Sequence, residues 1–322
     1  MRSAKSSLVC GIVFAVLVTL PGCSDPDTNK LLFKPAVGSK RVVTVKQDTT
    51  QTMKLAVIGK SLTTTSGNEM TYLMSVDSVE ADGTVIITAT YVDVNLGFPG
   101  RDGGDDRRGA LLKKMQAAFK DASLTLRVSR LGELVGIEGA DALTEKVVGA
   151  LGSESGPFTV MAKSLMRGIF SPDMLKASLY PLFIKAPDKA LNASDTWDDA
   201  YTLELAGMPV TSETAYTLRG RASGYVTIDG NVTMKLNMAD NVLTKLNEEV
   251  KMSGEINGNG TGVYSVDEAT GWLTHREDKV TATGTMSMDM PKHLRGMPDA
   301  PPKVDLDMEM QIDLEVTNTA QQ

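Results

Sequence analysis

The chain has 322 residues, of which 33 are Lys or Arg and 40 are Asp or Glu, for a formal net charge of −7. That acidic balance argues against nucleic acid as a partner and against electrostatic docking on anionic headgroups, since both need clustered Lys and Arg. With two histidines, His275 and His293, and two cysteines, Cys10 and Cys23, there is no zinc cluster and no HxxxH spacing, so no metal and no cofactor is expected. At the start of the chain Arg2 and Lys5 make a short positive head. Leu8 to Leu20 follow as an apolar run of secretory-signal length, too short to span a bilayer comfortably. No later segment reaches the roughly 18 uncharged apolar residues that a transmembrane helix requires.

The run closes on TLPGC, Thr19 to Cys23. Leu20, Pro21 and Gly22 before a cysteine resemble the lipobox of bacterial lipoproteins, although Pro21 stands where Ala or Ser is commoner. The resemblance implies cleavage before Cys23, diacylglycerol on its sulfur and an acylated amine. Membrane contact then comes through lipid, at about 0.8 kcal/mol per buried methylene. An ordinary signal peptide with an incidental Cys is the alternative. Ser24 in place of Asp implies sorting to the outer membrane of a Gram-negative envelope, facing the periplasm. The chain thus divides into a signal peptide at 1–22, a small polar tether at 23–30 and a single domain at 31–322. Cys10 leaves with the signal and Cys23 is committed to lipid, so no disulfide is available and burial and strand pairing must hold the fold.

Period-2 patterning predicts strands at Arg41–Lys46, Gln51–Val57, Met70–Val79 and Thr84–Val94, with Ala81-Asp82-Gly83 as a hairpin turn. These read as a meander of four. GFPGRDGGDD, from Gly97 to Asp106, is a loop. Its acidic residues match no calcium-loop spacing and have Arg101, Arg107 and Arg108 adjacent to them. Leu111, Leu112, Met115, Ala118, Phe119 and Ala122 then form a helical stripe. A hairpin at Leu124–Ile137 turns about Arg130–Glu133, and helices are expected at Asp141–Leu151, over Phe158–Phe170 and from Ser171-Pro172 to about Tyr180. Residues 107–185 therefore read as a mostly helical insertion.

Six longer strands follow at Trp197–Leu205, Glu213–Arg221, Tyr225–Met238, Val250–Val266, Trp272–Met290 and Val304–Thr317. In the last, Val304, Leu306, Met308, Met310, Ile312, Leu314 and Val316 alternate with polar, mostly acidic residues, so one face is covered and the other meets water. NGNGTG at 257–262 reads as a bulge or bend within a strand. Together these elements predict an α+β fold: a large curved antiparallel sheet, half-barrel-like and of about ten strands, carrying a helical insertion. A sandwich or a closed barrel fits the same periodicity.

FIKAPDKALNASDTW, Phe183 to Trp197, places an Asp two residues before a Trp that opens a strand; Asp195 should satisfy turn amides while the indole packs on the insertion. With FKPAVGSKRVVTV, Phe33 to Val45, and the GELVGIEG hairpin, this resembles an uncharacterised family of exported bacterial lipoproteins, a domain of unknown function. By architecture such proteins are similar to periplasmic lipoprotein carriers, in which a half-barrel sheet and helical lid enclose an apolar groove. The family implies no catalytic residues.

The usual signatures of catalysis are missing. No G-x-S-x-G occurs, no Ser has Lys three residues later, and His275 shares a strand face with Glu277 and Lys279 as expected of a solvent side. No enzyme activity is expected. Methionine is the anomaly, with Met234, Met238, Met252, Met286, Met288, Met290, Met308 and Met310 on strand faces that should turn inward. Pliable Met side chains suit either the filling of a core beneath the helices or a wall for varied acyl chains. The expected groove lining is Met234, Met238, Met286, Met288, Met308 and Met310, and the expected ligand a lipid or acyl chain. A structural or assembly lipoprotein with a packed core is the second reading and an envelope enzyme the third.

Overall fold

The computed structural model describes residues 27–55, 59–97, 106–150, 163, 167, 170–205, 208–237, 252–289 and 303–321. Its frame is one open antiparallel sheet of eleven strands: β1 (Lys40–Leu55), β2 (Lys60–Val79), β3 (Val85–Leu96), β4 (Ser123–Val128), β5 (Leu134–Glu138), β6 (Thr196–Leu205), β7 (Met208–Ala222), β8 (Tyr225–Asn237), β9 (Met252–Asp267), β10 (Leu273–Asp289) and β11 (Lys303–Ala320). The spatial order is β5-β4-β3-β2-β1-β11-β10-β9-β8-β7-β6. The described chain therefore starts at the centre, meanders outward to β5, crosses to the far edge at β6 and meanders back until β11 pairs with β1 over Arg41↔Ala320 to Leu55↔Leu306. Every pairing is local except that central one. The strand alternation supplies the register: Val43, Val45 and Val316 are buried on the inner face while Lys46 and Glu315 face water.

Two sequence expectations change. Arg41–Lys46 and Gln51–Val57 belong to one continuous strand, β1, so the opening meander has three strands. The reading broke because Gln47 and Thr49 occupy inner-face positions where the apolar rhythm would continue. The helical insertion is also small. It holds α1 (Asp106–Phe119), α2 (Ala140–Ala150), α3 (Pro172–Leu179) and a 3-10 turn (Tyr180–Leu182), but its hairpin β4–β5 extends the main sheet. The helix expected over Phe158–Phe170 lies almost wholly outside the described residues, as does most of the Gly97–Asp106 loop. NGNGTG is no bulge: Asn257 to Gly262 pair in unbroken register with both β8 and β10.

The sheet curls into a trough. Asn68 on β2 and Tyr201 on β6 line one common cavity, although seven strand spacings separate them along the sheet. At ~4.8 Å per spacing they would lie about 34 Å apart were the sheet flat. α3 packs against both edge strands, β5 and β6, and so bridges the mouth of the curl. Ser171 caps α3 by accepting from the Met174 amide, with Pro172 in the first turn and Asp173 beside the exposed N–H groups.

One end of the trough is plugged. Here lie the hairpin turns after β2, β4, β7 and β9, together with residues 27–36, which run across them: the Phe33 amide donates to Arg130 O (2.8 Å) and the Lys34 amide to Thr270 O (2.9 Å). Phe33 packs edge-on against Trp272 (4.9 Å) and Phe183 (5.7 Å). Gly132 (φ +83) and Gly271 (φ +76) hold turn geometries in which a Cβ would strike the backbone at Ile184 and Leu32, so these plugging segments require glycine. Trp197 donates its indole N–H to Lys185 O (2.9 Å) and stacks on Tyr216, and Asp195 accepts from the Asn192 amide (2.8 Å), fixing the return into β6.

Candidate functional site

Beyond the plug the inner face opens into a cavity of about 210 Å³. Its roof is the C-terminal end of α3 and the following turn, at Ala177, Ser178 and Pro181. Its walls are Val45 and Met70 on one flank, Ile312 and Leu314 at the centre, and Val232, Met234 and Val280 on the other. Gln47, Asn68, Ser212 and Tyr201 add polar atoms at the margins. Gln47, one of the polar positions that interrupt β1, and its partner Asn68 on β2 are thus cavity wall.

Two charged residues also line it. Arg276 and Asp278 are 7% and 4% exposed and form a direct ion pair, with Arg276 Nε donating to Asp278 Oδ2 at 2.5 Å. Arg276 Nη1 donates to Pro181 O (3.3 Å), tying β10 to the roof, and its guanidinium lies 4.9 Å from the Tyr264 ring centre. Tyr264 donates its hydroxyl to Asp278 Oδ1 (2.7 Å). The ring can lie there because β8 and β9 carry Gly230 and Gly262 beneath it; a Cβ on Gly230 would sit 2.5 Å from the Tyr264 hydroxyl. Burial disfavours the Arg276 charge, but Asp278, Tyr216 and Tyr264 outweigh it, and the guanidinium holds its proton more tightly than usual. Burial pushes the neighbouring Tyr216 hydroxyl up to about 12. At the roof Tyr180 donates to Asp199, whose carboxyl burial raises above its ordinary range despite that bond.

The far end of the trough holds a second apolar cluster, in which Met234, Met308 and Met310 pack on Val210, Leu236, Ile256, Ala282 and Met286. Four of the six expected lining residues are therefore brought together. Met288 lies on β10 at the same face and is half-buried, outside that cluster; Met238 lies outside the described residues, as does Cys23. α1, α2 and α3 pack chiefly on β3, β5 and β6 and on one another, so this methionine surface is an extension of the cavity wall past the roof. Of the expected lining residues that are described, only Met234 borders the cavity itself. Sequence reasoning missed Arg276 and Asp278, although their parity with Val280, Ala282 and Met286 marks them as inward-facing.

Among the described residues no group of three or more His, Cys, Asp or Glu is arranged to hold a metal ion, and no helix is long and apolar enough to cross a membrane. A family of unknown function (DUF6263) matches residues 101–273, from the loop before α1 to the start of β10 and more than half of the chain. The chain belongs to that family. No curated protein matches this DUF6263 member. Among solved structures it is similar to lipovitellin, in a structure concerned with lipid–protein interactions, at 12% identity and a TM-score of 0.33, covering 90% of this chain and 26% of that one. It thus spans about a quarter of lipovitellin's length. The outer membrane protein OprG of Pseudomonas aeruginosa (8% identity, TM-score 0.23) is matched over 90% of this chain and 100% of its own. The COG4313 outer membrane channel of Pseudomonas putida F1 (12%, 0.20) is matched over 92% and 100%.

Proposed function

We propose that this DUF6263 protein is a lipid-anchored cell-envelope protein that binds an apolar ligand, an acyl chain, inside its trough. The observation that carries this reading is the cavity beneath α3, whose walls are mostly aliphatic and continue into the half-buried methionine surface. Branched and thioether side chains there shield an alkyl chain from water at about 25 cal/mol per Å² of apolar surface removed, and unbranched Met adapts its shape to the chain it meets. The protein is a binding protein in this reading and not an enzyme.

The anchor is Cys23, at the outer membrane and facing the periplasm, and the fold agrees with that placement in one respect. Asp27 begins the segment that crosses the plugged end, and the residues between Cys23 and Asp27 span at most about 14 Å. An anchored molecule holds its plugged end against the membrane and presents the methionine end away from it. The second reading is a structural or assembly role. The mutual packing of Met234, Met286, Met308 and Met310 favours it, since such packing stabilises the trough without a ligand.

Native mass spectrometry of the chain carrying Cys23→Ser, purified from cells without detergent, decides between them. Co-purified lipid, or uptake of a fluorescent fatty acid at one site per chain, supports binding. Empty protein with no uptake supports the packed, structural role. Mass spectrometry of the native N-terminus tests the anchor separately, and an unmodified thiol at Cys23 would remove it.

A further inference from the structure

Arg276 is the feature that ligand binding through aliphatic contacts leaves unused. It lines the cavity, is 7% exposed and carries more donors than its partners accept. Nε serves Asp278 and Nη1 serves Pro181 O, while Nη2 makes no hydrogen bond among the described residues. A guanidinium has five N–H donors and no acceptor, and Nη2 is not fully buried, so it can donate to a ligand oxygen that enters the cavity. Resting on the acyl-binding reading, we propose that Arg276 is the polar anchor of the cavity and that its Nη2 donates to the carbonyl oxygen of a neutral acyl ester or amide.

The charge balance selects a neutral group. Asp278 already compensates Arg276 at direct contact, and Tyr264 satisfies its other oxygen, so the pair presents spare hydrogen-bond donors with no net positive charge. A ligand carboxylate would enter as an uncompensated charge beside Asp278. An ester or amide carbonyl uses the donors without that desolvation and repulsion. A plain alkane leaves them unpaired. The recognised class is thus an acyl chain joined through its carbonyl to a larger molecule, with the chain running along Val280 and Ile312 toward the methionines.

The test uses the chain carrying Cys23→Ser, stripped of lipid, and three probes of equal chain length: an alkane, the methyl ester and the free carboxylate. Binding is measured by displacement of a fluorescent acyl ester. The expected order is ester first, by at least tenfold over the alkane and over the carboxylate. In the variant R276M/D278N the ratio of ester to alkane affinity should fall to about one. Equal binding of ester and alkane, a preferred carboxylate, or an ester preference that survives the double substitution overturns the proposal while leaving acyl binding intact. Binding of no probe overturns acyl binding itself. A measurement on the unsubstituted site needs no variant: the infrared carbonyl band of an isotope-labelled ester should move to lower frequency on binding, and a band at its hydrocarbon-solvent position refutes the Arg276 contact.

Discussion

Removing one partner of the Arg276–Asp278 pair should be far worse than removing both. In R276M the Asp278 carboxylate, 4% exposed, keeps the Tyr264 hydroxyl and loses its compensating charge. In D278N the buried guanidinium loses its anion. Breaking a buried pair from either side costs about 3–5 kcal/mol, because a charge is left without a partner in a low-dielectric site. In R276M/D278N no charge remains, the introduced amide oxygen still accepts from Tyr264, and the cost falls to about 1–3 kcal/mol for one amide imperfectly paired. The double variant should therefore be more stable than either single one, with a coupling energy of several kcal/mol. Urea unfolding at pH 7 reads this through Trp197 and Trp272, both buried in the core. If R276M costs less than about 1 kcal/mol, or the two effects simply add, then the pair is solvated and the description of the cavity wall is wrong.

Phe33→Ala should cost about 3–5 kcal/mol, since the ring is 4% exposed between Trp272 and Phe183; a loss below ~1 kcal/mol in urea unfolding would show that residues 27–36 do not plug the trough. Ile312→Trp places a large ring in a cavity of about 210 Å³ and should reduce fatty-acid uptake at least tenfold for an overpacking cost of ~1–3 kcal/mol. Unchanged uptake would place the ligand elsewhere. Asp199→Asn tests a pH effect. The Asp199 pKa is raised by burial, so its protonated form is favoured on folding and the stability it contributes below the ordinary carboxylate range is lost as pH rises through the folded value. Asn keeps an acceptor for Tyr180, and the variant should match the unsubstituted protein in acid and exceed it at neutral pH. A variant less stable at pH 7 would contradict this.

How far the sequence reveals this molecule can be seen strand by strand. β11 is plain from its alternation, because one of its faces is apolar from Val304 to Val316 and the other polar throughout. β1 and the first half of β2 are obscured where the wall is polar: Gln47, Thr49, Ser66 and Asn68 occupy inner-face positions, and a search for apolar rhythm stops there. The interruption itself marks the cavity, as local rules tend to fail at sites. Arg276 and Asp278 hide for the same reason, since charged residues in a strand are ordinarily assigned to water. β4 and β5 are legible as a hairpin, but their docking on β3 depends on contacts with residues distant in the chain. The helices after β5 are legible, with α2 at Ala140–Ala150 where Asp141–Leu151 is expected and α3 at Pro172–Leu179 where Ser171-Pro172 to about Tyr180 is expected, because their apolar stripes begin and end with capping and turn residues. Gly230 and Gly262 are silent in sequence and acquire meaning only under the Tyr264 ring.

Photolabelling with a diazirine-bearing acyl ester addresses the whole account at once, because it reports where a bound chain lies. Carbene insertion followed by peptide mapping should place label on Met234, Val280, Ile312 and Leu314, with competition by unlabelled ester and loss of labelling in Ile312→Trp. Label confined to the solvent face of the sheet, at residues such as Val263 or Glu315, or labelling that excess ester does not reduce, would contradict a ligand inside the trough.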